Sequence, residues 1–207
     1  MVLGLSNNVD QKARDQQAKL IKDNVDKSEK NMTTLLNSIQ KNARKEASVR
    51  DASDVLCKTL QNVGNEETPS MRNGIEALAN GLSQITDYRD AMLTRVETRV
   101  TEPLSTYEQT CQQIKRSVTI QQKSKNVQTQ QQMQLQNMQQ GLNGQGSAGL
   151  AHQQADLQRA IISNISNGNK MEEMAELFER QKKIDMKKFM IDYVNSQMQF
   201  YSALEMR

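Results

Sequence analysis

The chain is 207 residues long, with 36% hydrophobic and 25% charged residues, but only 3% aromatic residues, two Pro, nine Gly and no Trp. So few aromatics and turn formers exclude an all-β sandwich or barrel, whose strands use β-branched and aromatic side chains with a turn about every 8–12 residues. The 27 basic and 24 acidic residues leave a net charge of +3, too balanced for the strongly basic domain that binds nucleic acid.

The apolar residues are mostly Leu, Ile, Val, Met and Ala set among Gln, Lys, Glu and Asn, the vocabulary of long helices. Cys57 and Cys111 read as reduced thiols in a cytosolic setting, packed as small hydrophobes. Met1-Val2-Leu3-Gly4-Leu5 is followed at once by Ser6-Asn7-Asn8, so no signal-peptide core is expected. No apolar run exceeds three residues, and none can span a bilayer.

A flexible N-terminus over 1–8 precedes one all-α domain over 9–207, built from three helices at about 9–63, 69–140 and 150–207. At 1.5 Å per residue these would be roughly 80, 105 and 85 Å long, lengths that require partners. Gly64 and Thr68-Pro69 mark the first break, as helix closer, N-cap and first helical residue. Gly141 to Gly149 forms the second, the tip loop.

In the first helix a heptad-spaced series runs through Val25, Ser28, Met32, Leu35, Ile39, Asn42, Glu46, Val49, Ser53, Leu56, Leu60 and Val63. Eight of these twelve are apolar, which defines a coiled-coil seam with polar interruptions. Ile21, Leu36, Ala43 and Ala47 widen the buried face towards a second neighbour. In the second helix Met71, Ile75, Leu78, Leu82 and Ile85 begin a seam that Met92, Val96, Val100, Leu104, Tyr107, Cys111, Ile114 and Val118 continue. Three successive steps of four between Met92 and Leu104 form a stutter that relaxes the supercoil. Pro103 inside it removes a backbone hydrogen bond and should bend the axis.

The third helix runs through Leu157, Ile161, Ile165, Met171, Met174, Leu177, Phe178, Ile184, Phe189, Tyr193 and Met198. Ser166-Asn167-Gly168-Asn169 weakens it by about 1 kcal/mol for the Gly, which long flanking packing can absorb. No stop signal precedes Arg207, so this helix is expected to be cut short. Residues 126–155 are rich in Gln, with no Lys, Arg, Asp or Glu, and read as a frayed hairpin tip.

Long, Pro-bent helices in an antiparallel three-helix hairpin suit the BAR-domain class. The run Glu67-Thr68-Pro69, Asp87-Tyr88-Arg89, Arg95, Glu97, Glu102-Pro103-Leu104 and Thr106-Tyr107 resembles the Chibby-interacting BAR-domain family. Arg44-Lys45, Arg50-Asp51 and Asp54 before it, with Leu157-Gln158-Arg159-Ala160 and Phe178-Glu179 after it, extend the likeness over roughly residues 40–200. The resemblance implies a crescent-shaped homodimer that binds and bends acidic membranes. It further implies a cytoplasmic, peripheral membrane protein that partners Chibby at the ciliary basal body, centriole and transition zone during ciliogenesis.

Folding the chain back near residues 66 and 145 puts Lys12, Arg14, Lys19 and Lys22 beside the stretch holding Lys115, Arg116, Lys123 and Lys125. Lys170 then joins, and Lys182, Lys183, Lys187 and Lys188 fall next, near Lys22, Lys27 and Lys30. Each such residue near an anionic leaflet contributes about 1 kcal/mol within a Debye length. The alternative is a solvated surface with intrahelical ion pairs such as Glu179 with Lys183. Met1, Val2, Leu3 and Leu5 form either a shallow membrane wedge or a disordered tail. The dimer-facing candidates are Val49, Leu56, Leu60, Val63, Met71, Ile75, Leu78, Leu82 and Ile85, because one partner helix cannot cover all their apolar faces.

Gly144-Gln145-Gly146-Ser147-Ala148-Gly149 matches the dinucleotide pattern G-x-G-x-x-G only in spelling, since a Gln-rich helical segment precedes it where a strand is required. His152 is the sole histidine, which leaves no base for a triad and no metal cluster. Asp87, Tyr88 and Arg89 read as interhelical hydrogen-bonding and ion-pair residues. No enzyme, cofactor or small-molecule substrate is expected. The function is therefore either a membrane-shaping homodimer or a coiled-coil adaptor that binds helical proteins without lipid contact.

Overall fold

The computed structural model describes residues 3–141 and 147–205. Its elements are α1 (Leu3–Glu66), α2 (Pro69–Val96), a π-helical turn (Glu97–Thr101), α3 (Glu102–Ser105), α4 (Tyr107–Gly141) and α5 (Ser147–Glu205). There is no strand among the described residues. The three helices read from the sequence correspond to α1, to α2 through α4, and to α5. Of the expected N-terminal tail, residues 1–2 lie outside the described part and α1 begins at Leu3. Residues 142–146 of the tip loop and Arg207 also lie outside it. The Gln-rich stretch expected to fray is helical up to Gly141 and again from Ser147.

The chain divides into two compact units, one of Met1–Lys30 with Glu108–Lys182 and the other of Asn31–Tyr107 with Lys183–Arg207. In the first, Ala18 of α1, Val118 of α4 and Met171 of α5 meet in a buried cluster with Ile21 against it. Val25, Cys111, Ile114 and Phe178 are also buried there, and each large aliphatic removed from water contributes about 1.5–3 kcal/mol. Lys115 of α4 bonds Asp26 and Glu29 of α1, whereas Lys125, further along α4, bonds the earlier Asp15, so α1 and α4 are antiparallel. Gln153 meets Gln131 while the later Asn167 meets the earlier Ser124, which makes α4 and α5 antiparallel as well.

Polar side chains continue that second seam. Gln121 and Asn164 are buried and joined by a hydrogen bond, and Gly168 lets α5 approach so closely that a Cβ there would lie 3.3 Å from Gln121 Nε2. The Gly in the weak stretch 166–169 therefore has a packing role, and α5 passes through it unbroken.

In the second unit α1 and α2 are drawn together by small residues: buried Cys57 donates from Sγ to the carbonyl of buried Ala79 at 3.6 Å. Gly64 does not close α1, which runs on to Glu66. Its lack of a side chain makes room for Ile75, whose Cγ2 would lie 3.2 Å from a Cβ at that position. Arg72 closes the helix instead, donating to the carbonyls of Gly64 at 3.1 Å and Asn65 at 2.9 Å, groups that a helix end leaves without partners. Thr68 holds the N-cap position of α2 ahead of Pro69 but makes no side-chain cap bond.

Met92, Val96, Val100 and Leu104, the stuttered series, are all buried. Steps of four outrun a helix of 3.6 residues per turn, and the backbone answers by widening: Glu102 N–H reaches back five residues to Glu97 O. The wide turn lies just ahead of Pro103, where a regular helix would suffer a ring clash with the carbonyl four residues earlier. The disruption expected at Pro103 is thus a π turn followed by a short α3 and a break at Thr106, whose N–H bonds Pro103 O at 3.3 Å. Tyr107 then packs edge-on to Phe189 of α5, with ring centres 6.2 Å apart, and donates its hydroxyl to Asp185 at 2.7 Å.

Candidate functional site

The basic residues singled out in the sequence separate into two kinds. Lys115 donates to Asp26 at 2.6 Å and Glu29 at 2.5 Å, and these carboxylates hold its ammonium pKa above the usual lysine value. Lys125 pairs with Asp15. Lys182 bonds Glu179 at 2.6 Å and Ser28 at 2.9 Å while lying 5.3 Å over the Phe178 ring. The intrahelical pair expected between Glu179 and Lys183 is therefore made with Lys182. These three cations stitch helices together.

Lys12, Arg14, Lys19, Lys22, Arg116, Lys123, Lys183, Lys187 and Lys188 are exposed. The first six belong to the first compact unit and the last three to the second. Folding at residue 66 would put Lys115 opposite residue 17; its bonds to Asp26 and Glu29 show a shifted register. The shift brings α1 acids, rather than further α1 lysines, against two of the four α4 cations. The second fold is closer to expectation, with Asn167 bonded to Ser124 at 2.6 Å.

Among the dimer candidates, Val49, Leu56, Val63, Met71 and Leu78 are exposed and Leu60, Ile75, Leu82 and Ile85 are half-buried. The seam of α1 thus changes character along its length: Val25, Ser28 and Met32 are buried within the chain, while Val49, Leu56 and Val63 face out. A second exposed set was missed in the sequence. Ile184, Ile191, Val194, Met198 and Tyr201 of α5 are 51–62% exposed, although Ile184 and Met198 read as members of the helix's own packing series. Their signal was the seven-residue interval from Ile184 to Ile191 to Met198 and from Val194 to Tyr201.

Arg89 behaves as an interhelical ion-pair residue: it bonds Glu46 of α1 and lies 5.0 Å over the Phe200 ring of α5. Neighbouring Asp90 takes a bond from Arg50 at 2.5 Å. His152 is exposed and 3.0 Å from Asp156. Among the described residues no His, Cys, Asp and Glu cluster could hold a metal ion, and no helix is long and apolar enough to cross a membrane. Gly144 to Gly146 of the G-x-G-x-x-G match, together with Met1 and Val2, lie outside the described residues.

Three long helices with antiparallel neighbours, a break at Pro103 and an outward-facing inner seam define a BAR-type fold. The Drosophila amphiphysin BAR domain superposes with a TM-score of 0.78 at 13% identity, covering 92% of this chain and 86% of that one. Residues 7–207 match the model of the FAM92 protein family, and the chain belongs to that family. The CBY1-interacting BAR domain-containing protein 1 of Danio rerio is 32% identical over 97% of this chain and 68% of its own length. Its Xenopus laevis counterpart 1-A is 30% identical over 97% of this chain and 71% of its own.

Proposed function

We propose that this chain is a non-enzymatic, membrane-binding BAR protein that works as a homodimer. The carrying observation is the row of exposed apolar side chains in the second unit, Val49, Leu56, Val63, Met71 and Leu78, together with the exposed α5 stripe of the same unit. Such a row is a seam without its other half, and a second copy supplies one. Exposed cations that make no ion pair among the described residues supply the attraction to anionic lipid, which dimerisation multiplies. Peripheral attachment in the cytoplasm follows from that reading. The relatives' names state an interaction with CBY1; we extend it to this chain, and with it a place at the ciliary base in ciliogenesis with Chibby.

Sedimentation with phosphatidylserine vesicles tests the membrane part. Reversing the free pair, Arg116→Glu with Lys123→Glu, should weaken binding by about tenfold or more and flatten its dependence on salt. Binding that is absent, or indifferent to salt and to the reversal, rejects it.

A second reading, a coiled-coil adaptor for helical proteins without lipid contact, draws on the engagement of Lys115, Lys125 and Lys182 by acids of the chain itself. It predicts no vesicle binding by an otherwise dimeric protein.

A further inference from the structure

Within the first compact unit, Arg116 and Lys123 of α4 are exposed and make no ion pair among the described residues, unlike their neighbours Lys115 and Lys125. They stand seven residues apart and share one helix face. Ile120 and Val127 repeat that interval on the same face, 51% and 48% exposed. The face therefore alternates cation and aliphatic: Arg116, Ile120, Lys123, Val127.

It continues onto α5. Ile120, Lys123 and Val127 line an open slot of about 200 Å³ with Ser124, and with Ala160 and Ser163 of α5. Lys170 lies seven residues beyond Ser163 and is exposed. No acidic residue interrupts the sequence between Glu108 and Gly141, so α4 presents positive charge and aliphatic surface with nothing to repel a phosphate.

One exposed aliphatic on a helix is ordinary. Two at a heptad interval, each flanked by an unpaired cation and opening on an apolar slot, match a helix that lies within a bilayer interface rather than above it. A protein helix would need acidic residues spaced to meet the same cations; an anionic leaflet offers phosphates at every spacing.

The geometry points to this α4 and α5 face as a bilayer-contact surface in which Ile120 and Val127 enter the interfacial layer of an anionic leaflet while Arg116, Lys123 and Lys170 hold its phosphates. The inference rests on the membrane reading above and adds insertion to it.

The chain contains no Trp, so Val127→Trp gives a single emitting indole at the slot, and Leu20→Trp gives one at an exposed aliphatic of α1. With vesicles of phosphatidylcholine and phosphatidylserine, the Val127→Trp emission shifts to the blue and is quenched by brominated acyl chains, while the Leu20→Trp emission stays at its aqueous wavelength. Ile120→Asn combined with Val127→Asn lowers vesicle affinity about tenfold, at unchanged helicity by circular dichroism. An unshifted Val127→Trp on vesicles that do sediment the protein overturns insertion and leaves membrane binding standing. Equal shifts at both positions overturn the assignment to this face. A shift caused by an acidic amphipathic peptide but not by vesicles gives the face to a protein helix and overturns the inference. No sedimentation of the unsubstituted chain overturns the membrane reading and this inference together.

Discussion

Gln121 donates from Nε2 to the side-chain oxygen of Asn164 at 2.9 Å, and Asn164 donates onward to Gln128 Oε1 at 2.5 Å. Both Gln121 and Asn164 are buried, so neither can trade its partner for water. Asn164→Leu should cost about 1–3 kcal/mol by stranding Gln121 without a mate. Adding Gln121→Leu should recover most of that, because the buried amide is then gone and the only group left without Asn164 is Gln128, which is half-buried and within reach of water. Urea titrations followed by circular dichroism compare the two; a double variant no more stable than the single one would refute this account.

Arg89 joins three helices of its unit, through its bond to Glu46 of α1 and its place over the Phe200 ring of α5. Arg89→Ala should lower stability by about 2 kcal/mol, the combined effect of a charge-assisted bond and a cation–π contact. Arg89→Lys should lose about half as much, since an ammonium keeps the charge but not the flat guanidinium. Equal losses for the two variants would show that charge alone matters there.

Burial first, and the nearby Glu29 second, push the Cys111 thiol from 9.0 up to about 11. The folded chain holds this proton where an unfolded chain releases it, so the associated stability is complete below pH 9 and is lost between 9 and 11. The whole effect is about 2–3 kcal/mol. Lys115, whose pKa is raised by Asp26 and Glu29, adds loss of the same sign once pH climbs past the ordinary lysine value of 10.5. Denaturant midpoints recorded from pH 8 to 11 should therefore fall, and Cys111→Ala should remove the earlier part of the fall. A variant whose curve runs parallel to that of the parent chain would contradict the assignment.

On the dimer reading, Leu56→Asp places a carboxylate in the empty seam and should halve the mass seen by light scattering. Ile191→Asp should do the same if the α5 stripe shares the interface. Leu20→Asp, on an even more exposed aliphatic of the other unit, should leave the mass alone. An unchanged mass for Leu56→Asp removes the proposed seam.

The helices were legible because nothing between Val25 and Val63 or between Met71 and Val118, Pro103 apart, opposes helical spacing. The steps of four at Met92, Val96, Val100 and Leu104 told that the winding changes there, but not that it would change by a wider hydrogen-bonded turn. Spacing records where side chains recur and not how the backbone closes. The candidate site was legible as residue types and misread as partners. Counting from a fold at residue 66 set lysine against lysine, whereas the true register sets Lys115 against Asp26 and Glu29; a slip of roughly two to three helical turns inverts the sign of a neighbour. Ile184 and Met198 looked like core because apolar periodicity is the same on a face that meets its own chain and on one that does not.

Glu97 to Thr101 holds one residue more than a regular helix of the same rise would need. Winding these same residues as a regular helix, with none removed, would turn Leu104 and Tyr107 about 100° around the axis. Tyr107 would then point away from Asp185 and Phe189. The wide turn thus works as a phase corrector, and the length of this short stretch, more than the identity of its side chains, sets where the downstream residues aim.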